Sequence, residues 1–226
     1  MRIARREQGW DGYVCGRESP LMSAVMKLTA ALLALPLLLP PAPALADPLS
    51  GLVSGGAPAV STSSVTVCHG FGCHYRQVVR LTAADHAQIG RIMGRGRASP
   101  QAERAAIAEA VAWFERRVAP AAGTGKDTAK STPGQSRTRG QLDCIDETVN
   151  TTRFLQLVEA RGLLRHHSVA RVASRGFFLD GRYPHASAVV AEKVGGARWT
   201  VDSWPGPGGA KPEIMALQVW HTKGGR

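Results

Sequence analysis

The segment running from Asp143 to Gly162 constrains the fold of this chain more than any other. Asp143 has the character of a helix N-cap, and Asp146 follows three residues later as the acidic partner of a capping box. Gly162 supplies the stop after about Arg161. Between them Ile145, Val149, Phe154, Leu155, Leu157 and Val158 cover more than one face of the predicted helix. A helix apolar on more than one side must be enclosed by other elements. The rest of the chain has to supply that enclosure.

The elements available are short and mixed. Residues 65–80 read as two extended pieces around a glycine-containing turn. A short helix opens at Leu81-Thr82 and runs to about residue 94, with Ile89, Ile92 and Met93 on one face. Ser99-Pro100 is a helix start, with Ser as N-cap and Pro in the first turn. Ile107, Val111, Phe114 and Val118 recur at helical spacing, so 100–118 is an amphipathic helix that Pro120 is expected to end. Residues 121–140 are polar and glycine-containing, a loop long enough to be mobile or functional. Three strand candidates follow the central helix: His167–Ala173, Ala186–Val194 and Arg198–Ser203, with Gly195-Gly196 as a hairpin turn. Ile214–Trp220 is a further apolar segment. The expectation is one α+β domain over 65–226, its core at 140–222. The central helix packs on a small antiparallel sheet, the two N-terminal helices cover the core, and the 65–80 hairpin adds to a sheet edge.

The start of the chain sets the compartment. Lys27 precedes an apolar run, Leu28 to Leu39, and Ala44-Leu45-Ala46 then offers a small-residue cleavage site before Asp47. That is the pattern of a secretory signal peptide over 26–46, and the run is too short to span a membrane. Residues 1–25 read as an upstream extension, with Met22 or Met26 as the start, and 47–64 as a disordered Pro/Gly/Ser/Ala-rich arm. The mature chain is then 47–226, periplasmic or secreted, with no transmembrane segment once the leader is gone. Its formal charge falls from +11 to about +9. The arginines are spread out without interleaved aromatics, so no nucleic-acid partner is expected. A weak attraction to anionic envelope surfaces is the milder implication.

Export also sorts the cysteines. Cys15 lies upstream of the leader, which leaves Cys68, Cys73 and Cys144. In an oxidising compartment Cys68 and Cys73 are placed to pair, and Cys144 is left over as a reactive thiol or an intermolecular bridge. The alternatives at the pair are metal binding by Cys68, His69, Cys73 and His74, or, more remotely, a haem or redox role. His166-His167, after the helix end, reads as a cationic cap before it reads as a metal site.

Cys144 occupies the first turn of the central helix, where unpaired N–H groups and the helix dipole favour thiolate. His185 opens a strand candidate, and Asp202 falls on the partner strand across the Gly195-Gly196 hairpin. A carboxylate there can orient the imidazole, and the imidazole can take the thiol proton. The inert alternative is a buried structural thiol. Asp143, Asp146 and Glu147 read as cap and first-turn partners of the dipole.

The runs Gln141-Leu142-Asp143-Cys144-Ile145-Asp146, Pro184-His185-Ala186 and Trp199-Thr200-Val201-Asp202 resemble the transglutaminase-like superfamily. The Asp-Cys-x-Asp opening is most similar to the bacterial transglutaminase-like cysteine proteinases. The similarity covers roughly residues 140–204 and departs from the pattern at Ser187, where an aromatic is usual. It implies a papain-like α+β core and thiol acyl chemistry on a peptide or other amide, with Cys144, His185 and Asp202 as the triad and no cofactor. For the oxyanion donor the candidates are Gln141, Gln135 and the Cys144 backbone N–H. A triad kept only for structure, in a binding or assembly module of the envelope, is the second expectation.

Overall fold

The structure, a computed structural model, describes residues 61–176 and 184–223. The expected leader at 26–46, residues 1–25 and the arm up to residue 60 lie outside the described residues. The architecture is α+β. In chain order it comprises β1 (Ser64–His69), β2 (Tyr75–Arg80), α1 (Ala83–Gly94), α2 (Pro100–Ala122), α3 (Cys144–Ala160), β3 (His167–Arg175), β4 (His185–Glu192), β5 (Arg198–Asp202), β6 (Glu213–Ala216) and α4 (Leu217–Thr222). A single 3-10 turn, Pro133–Gln135, lies in the long connection between α2 and α3.

The helix boundaries follow the capping chemistry. The Thr82 hydroxyl accepts from the Asp85 N–H while the Asp85 carboxylate accepts from the Thr82 N–H, a reciprocal cap for α1. Ser99 caps α2 with a single bond, its hydroxyl accepting from Ala102 N–H. Asp143 and Asp146 form the expected capping box at α3. Pro120 does not end α2. The helix continues through it to Ala122 and stops at Gly123, in the left-handed region at φ 75°. A proline so close to the end forfeits one intrahelical bond, and a glycine supplies the true terminator.

Four strands form an antiparallel sheet in the order β3-β4-β5-β6. The Gly195-Gly196 turn has both glycines at positive φ and joins β4 to β5 with Ala188 opposite Val201 and Ala191 opposite Arg198. The hairpin β1–β2 makes a separate two-stranded sheet and does not extend an edge of the larger one, contrary to the sequence expectation. It packs on α3 and α2 instead, because Val65, Val67 and Val79 point into the main core.

That core joins α1, α2, α3 and one face of the large sheet. Phe114 of α2 stacks on Phe154 of α3 with ring centroids 4.4 Å apart, and Ala188, Val190 and Val201 close it from the sheet. The opposite face of β4 is also covered: Val189 and Ala173 meet Leu217 and Trp220 of α4. β4 is therefore buried on both faces, as its Val/Ala content requires. Buried Glu103 of α2 accepts from the N–H groups of Arg165, His166 and His167 and from His167 Nδ1. This fastens the α3–β3 connection and gives His167 a structural partner.

Among the described residues no helix is long and apolar enough to cross a membrane. Phe154→Ala would remove the stacked pair at the centre of the core. It should cost about 3–5 kcal/mol of folding free energy, seen as a lower urea midpoint at unchanged m-value.

Candidate active site

Cys68 and Cys73 form a disulfide. It closes a turn in which Gly70, Phe71, Gly72 and Cys73 all have positive φ. Left-handed backbone is unfavourable for Phe71 and Cys73, so something must hold the turn. Two carboxylates at the start of α3 do so. Asp146 accepts from Phe71 N–H at 2.7 Å and Cys73 N–H at 2.6 Å, and Asp143 accepts from Gly72 N–H at 3.1 Å. Asn150, one turn further along α3, bonds both the N–H and the C=O of Cys68. The disulfide turn is thus moulded onto the helix terminus that carries Cys144, and it delivers Phe71 to a cleft beside the thiol.

The cleft encloses ≈ 430 Å³ and is lined by Phe71, Ser131, Pro133, Asp143, Cys144, Pro184 and Trp204, among others. Cys144 is 9 % exposed at its wall. The connection at 121–140 that supplies Ser131 and Pro133 is pinned in place. Asp127 Oδ1 accepts from Leu142 N–H at 2.7 Å, Lys130 N–H reaches the Trp204 carbonyl at 3.0 Å, and the Ser131 hydroxyl donates to the Leu142 carbonyl.

His185 and Asp202 meet at one end of the sheet. The His185 Nε2 to Asp202 Oδ2 distance is 2.7 Å, and both side chains are buried. Asp202 Oδ2 also accepts from Trp220 Nε1 at 2.9 Å. The His185 ring packs against two indoles, with centroids 4.7 Å from Trp204 and 5.5 Å from Trp220. Neither Trp204 nor Trp220 was singled out from the sequence. A tryptophan two residues after an acidic strand end, and another in an amphipathic tail, were the available signals. Because the carboxylate can only accept, Nε2 carries the proton and Nδ1 is left as the basic nitrogen. Nδ1 is buried and has no hydrogen-bond partner.

The thiol touches the strand on either side of His185. Cys144 Sγ lies 4.0 Å from the Pro184 carbonyl oxygen, and the Ala186 N–H points at the sulfur. It makes no hydrogen bond to the imidazole. The alternation of β4 explains why: Ala186 faces Ile145 of α3, whereas His185 faces the Trp220 side. The expectation of a helix-stabilised thiolate is corrected as well. Burial pushes the Cys144 thiol up to about 11, and the charges of Asp143 and Asp202 add to the rise, outweighing the helix terminus and the N–H donors. At rest the site holds a neutral thiol.

Gln141 does not serve as an oxyanion donor. Its Oε1 accepts from Thr128 and Gln135, its Nε2 donates to the Lys126 carbonyl at 2.8 Å, and it faces away from the cleft to hold the 121–140 connection. Gln135 is similarly committed, to Thr128 and Gln141. The Cys144 backbone N–H, at the first helical position and directed toward its own sulfur, is the remaining donor of the three. Glu147, three residues past Cys144, is fully enclosed and faces a separate cavity. His69 Nδ1 accepts from the Gly140 N–H and His166 reaches the Arg97 carbonyl, so both have structural partners.

No protein family, curated protein or solved structure matches this chain.

Several buried acids surround this end of α3. Burial raises Asp127 to about 6, and burial with neighbouring carboxylates raises Glu115 and Asp146 to about 7 and Glu147 well above its ordinary value. A carboxyl with a raised folded-state pKa binds its proton more tightly folded than unfolded. The stability it contributes is complete below its ordinary pKa near 4 and is lost as pH rises toward 7. The thermal midpoint should therefore fall between pH 5 and pH 8, and Glu115→Gln should flatten part of that fall. A midpoint that rises over this interval contradicts the assignment.

Proposed function

We propose that the protein is a thiol-dependent amide hydrolase or acyltransferase in which Cys144 is the nucleophile, His185 the proton carrier and Asp202 the group that orients it. One observation carries this reading: a buried imidazole fixed through Nε2 by a carboxylate, its other nitrogen unpartnered, next to a cysteine that opens a buried helix and lines a cleft. The same reading favours a papain-like arrangement of helix and sheet and a peptide or other amide as substrate.

The chemistry follows from a neutral resting thiol. When a carbonyl enters the cleft, the reading requires His185 and the sulfur, which face opposite sides of β4 at rest, to come together, and the thiol then gives its proton to Nδ1 as it attacks the carbonyl carbon. The oxygen that gains charge is held by the Cys144 N–H at the helix terminus. His185 then protonates the leaving amine, leaving a thioester on Cys144. Water releases the acyl group in a hydrolase, and an amine releases it in a transferase. The two indoles packed against His185 keep bulk water from the proton path.

A binding module that keeps the residues without turnover is the second reading. It is favoured by the elevated thiol and the lack of a thiol–imidazole hydrogen bond. Acylation by 4-nitrophenyl acetate at pH 7.5 separates the two. The enzyme reading expects one equivalent of nitrophenolate and an acetyl adduct on Cys144. His185→Ala should slow this by about 10²-fold or more, the usual worth of a positioned base, and Asp202→Asn should fall between. Equal, slow acylation of wild type and His185→Ala would support the module.

A further inference from the structure

The turn closed by the Cys68–Cys73 disulfide holds four consecutive residues at positive φ: Gly70 at 83°, Phe71 at 72°, Gly72 at 59° and Cys73 at 59°. Glycine meets that requirement without a Cβ penalty, and Cys73 has its bond to Cys68. Phe71 has neither reason. Gly72, at the next position, has open space around it, so crowding does not decide which of the two carries a side chain. Among the described residues, the apolar core clusters do not include Phe71. It is half-buried and lines the Cys144 cleft. A bulky residue kept in left-handed backbone, where glycine would fit, points to a task for its side chain.

The rest of the cleft wall matches an apolar occupant. Pro133, Ile145, Pro184 and Trp204 line it with Phe71. Asp143 is the one charged side chain among the described lining residues, and its two oxygens already accept from Asp146 N–H at 2.8 Å and Gly72 N–H at 3.1 Å. An acidic group would meet a carboxylate there and, among the described lining residues, no cation. At ≈ 430 Å³ the cleft has room for an aromatic ring beside an amide. The two ends of a substrate are also distinguishable. His185 is not among the described lining residues, whereas Trp204 lines the cleft and packs against the imidazole. The leaving amine must reach His185 past Trp204, which leaves the acyl part to the wall that Phe71 forms.

Resting on the reading of Cys144 as the acylated nucleophile, we propose that Phe71 is the specificity-determining residue of the cleft and selects an uncharged amide whose acyl part carries a large apolar group, such as an aromatic side chain. Phe71 acts by packing on that group, and the apolar surface buried between ring and acyl chain supplies the preference. Asp146 accepts from the N–H of Phe71 itself and from that of Cys73, so the turn and its ring are set before a substrate arrives. A wall that is already ordered loses little freedom on binding.

The test compares acylation of Cys144 in the full chain at pH 7.5 by the 4-nitrophenyl esters of acetate, 3-phenylpropanoate and 3-(4-carboxyphenyl)propanoate, each rate corrected for hydrolysis in buffer. The phenylpropanoyl ester should react faster than the acetyl ester by about tenfold or more, a discrimination within reach of an apolar pocket. Its carboxylated analogue should lose that advantage. Phe71→Gly and Phe71→Ala should each bring the ratio of phenylpropanoyl to acetyl rates close to one, a change that a uniform loss of folded protein does not produce. Phe71→Gly should also have a higher thermal midpoint than Phe71→Ala, because glycine takes positive φ without strain. Ligand-observed NMR with N-methyl-3-phenylpropanamide and N-methylacetamide on Cys144→Ala reads the same preference without turnover. A binding preference that is lost when Phe71→Gly is added, with no ester acylating the wild type, would support the specificity and reject only the enzyme reading. Equal acylation by the three esters, or a rate ratio unchanged in both Phe71 variants, would overturn the proposal and leave the enzyme reading standing. A Phe71→Ala midpoint at or above that of Phe71→Gly would also overturn it. Neither acylation nor a binding preference would overturn both.

Discussion

The start of α3 depends on what its two aspartates accept. A helix N-terminus leaves N–H groups that need partners and a positive field that favours anions. Asp143 and Asp146 answer both, and then use their remaining oxygens on the backbone of the disulfide turn. One pair of carboxylates thereby caps the enclosed helix, joins the small sheet to the large domain, holds Phe71 in left-handed backbone and sets the wall of the cleft. Removing either carboxylate would expose several unpaired N–H groups at once, so the cap, the turn and the cleft behave as a unit.

The same enclosure decides the state of the thiol. A helix terminus lowers a cysteine's pKa only while the sulfur stays solvated or meets a cation. Here the sulfur sits against strand backbone, with carboxylates at Asp143 and Asp202 and, among the described residues, no positive charge paired to it. Desolvation and like charge win over the dipole. The cluster of raised acids around Glu115, Asp127 and Glu147 follows the same rule, because it too is packed under α2 and α3.

Local chemistry was legible in the sequence wherever one residue type answers one backbone need. Ser99-Pro100, the Asp143–Asp146 box and Gly195-Gly196 stand where their patterns placed them. So does the pairing of Cys68 with Cys73, and so do the strand positions of His185 and Asp202. Pro120 misled because a proline forbids one hydrogen bond, and near a helix end that bond is expendable. Gln141 misled because nearness in sequence to Cys144 does not say which way a side chain on an irregular segment turns. The hairpin's place depended on which of several apolar faces it would cover, a choice made by tertiary packing. Trp204 and Trp220 around His185, and the unpartnered oxygen of Glu147, arise from contacts between distant segments and leave no local pattern.

Trp220 has a consequence in time as well as in space. It donates to Asp202 from α4, the last helix of the described chain, and it covers His185. Chains emerge from the ribosome or a translocation channel from the N-terminus onward. Cys144 therefore emerges long before the indole that completes the surroundings of its histidine. Until the tail folds back, Asp202 holds His185 without that cover and water reaches the pair. A histidine–carboxylate pair whose cover comes from the last described helix stays unfinished while the chain is still extended among other unfolded polypeptides.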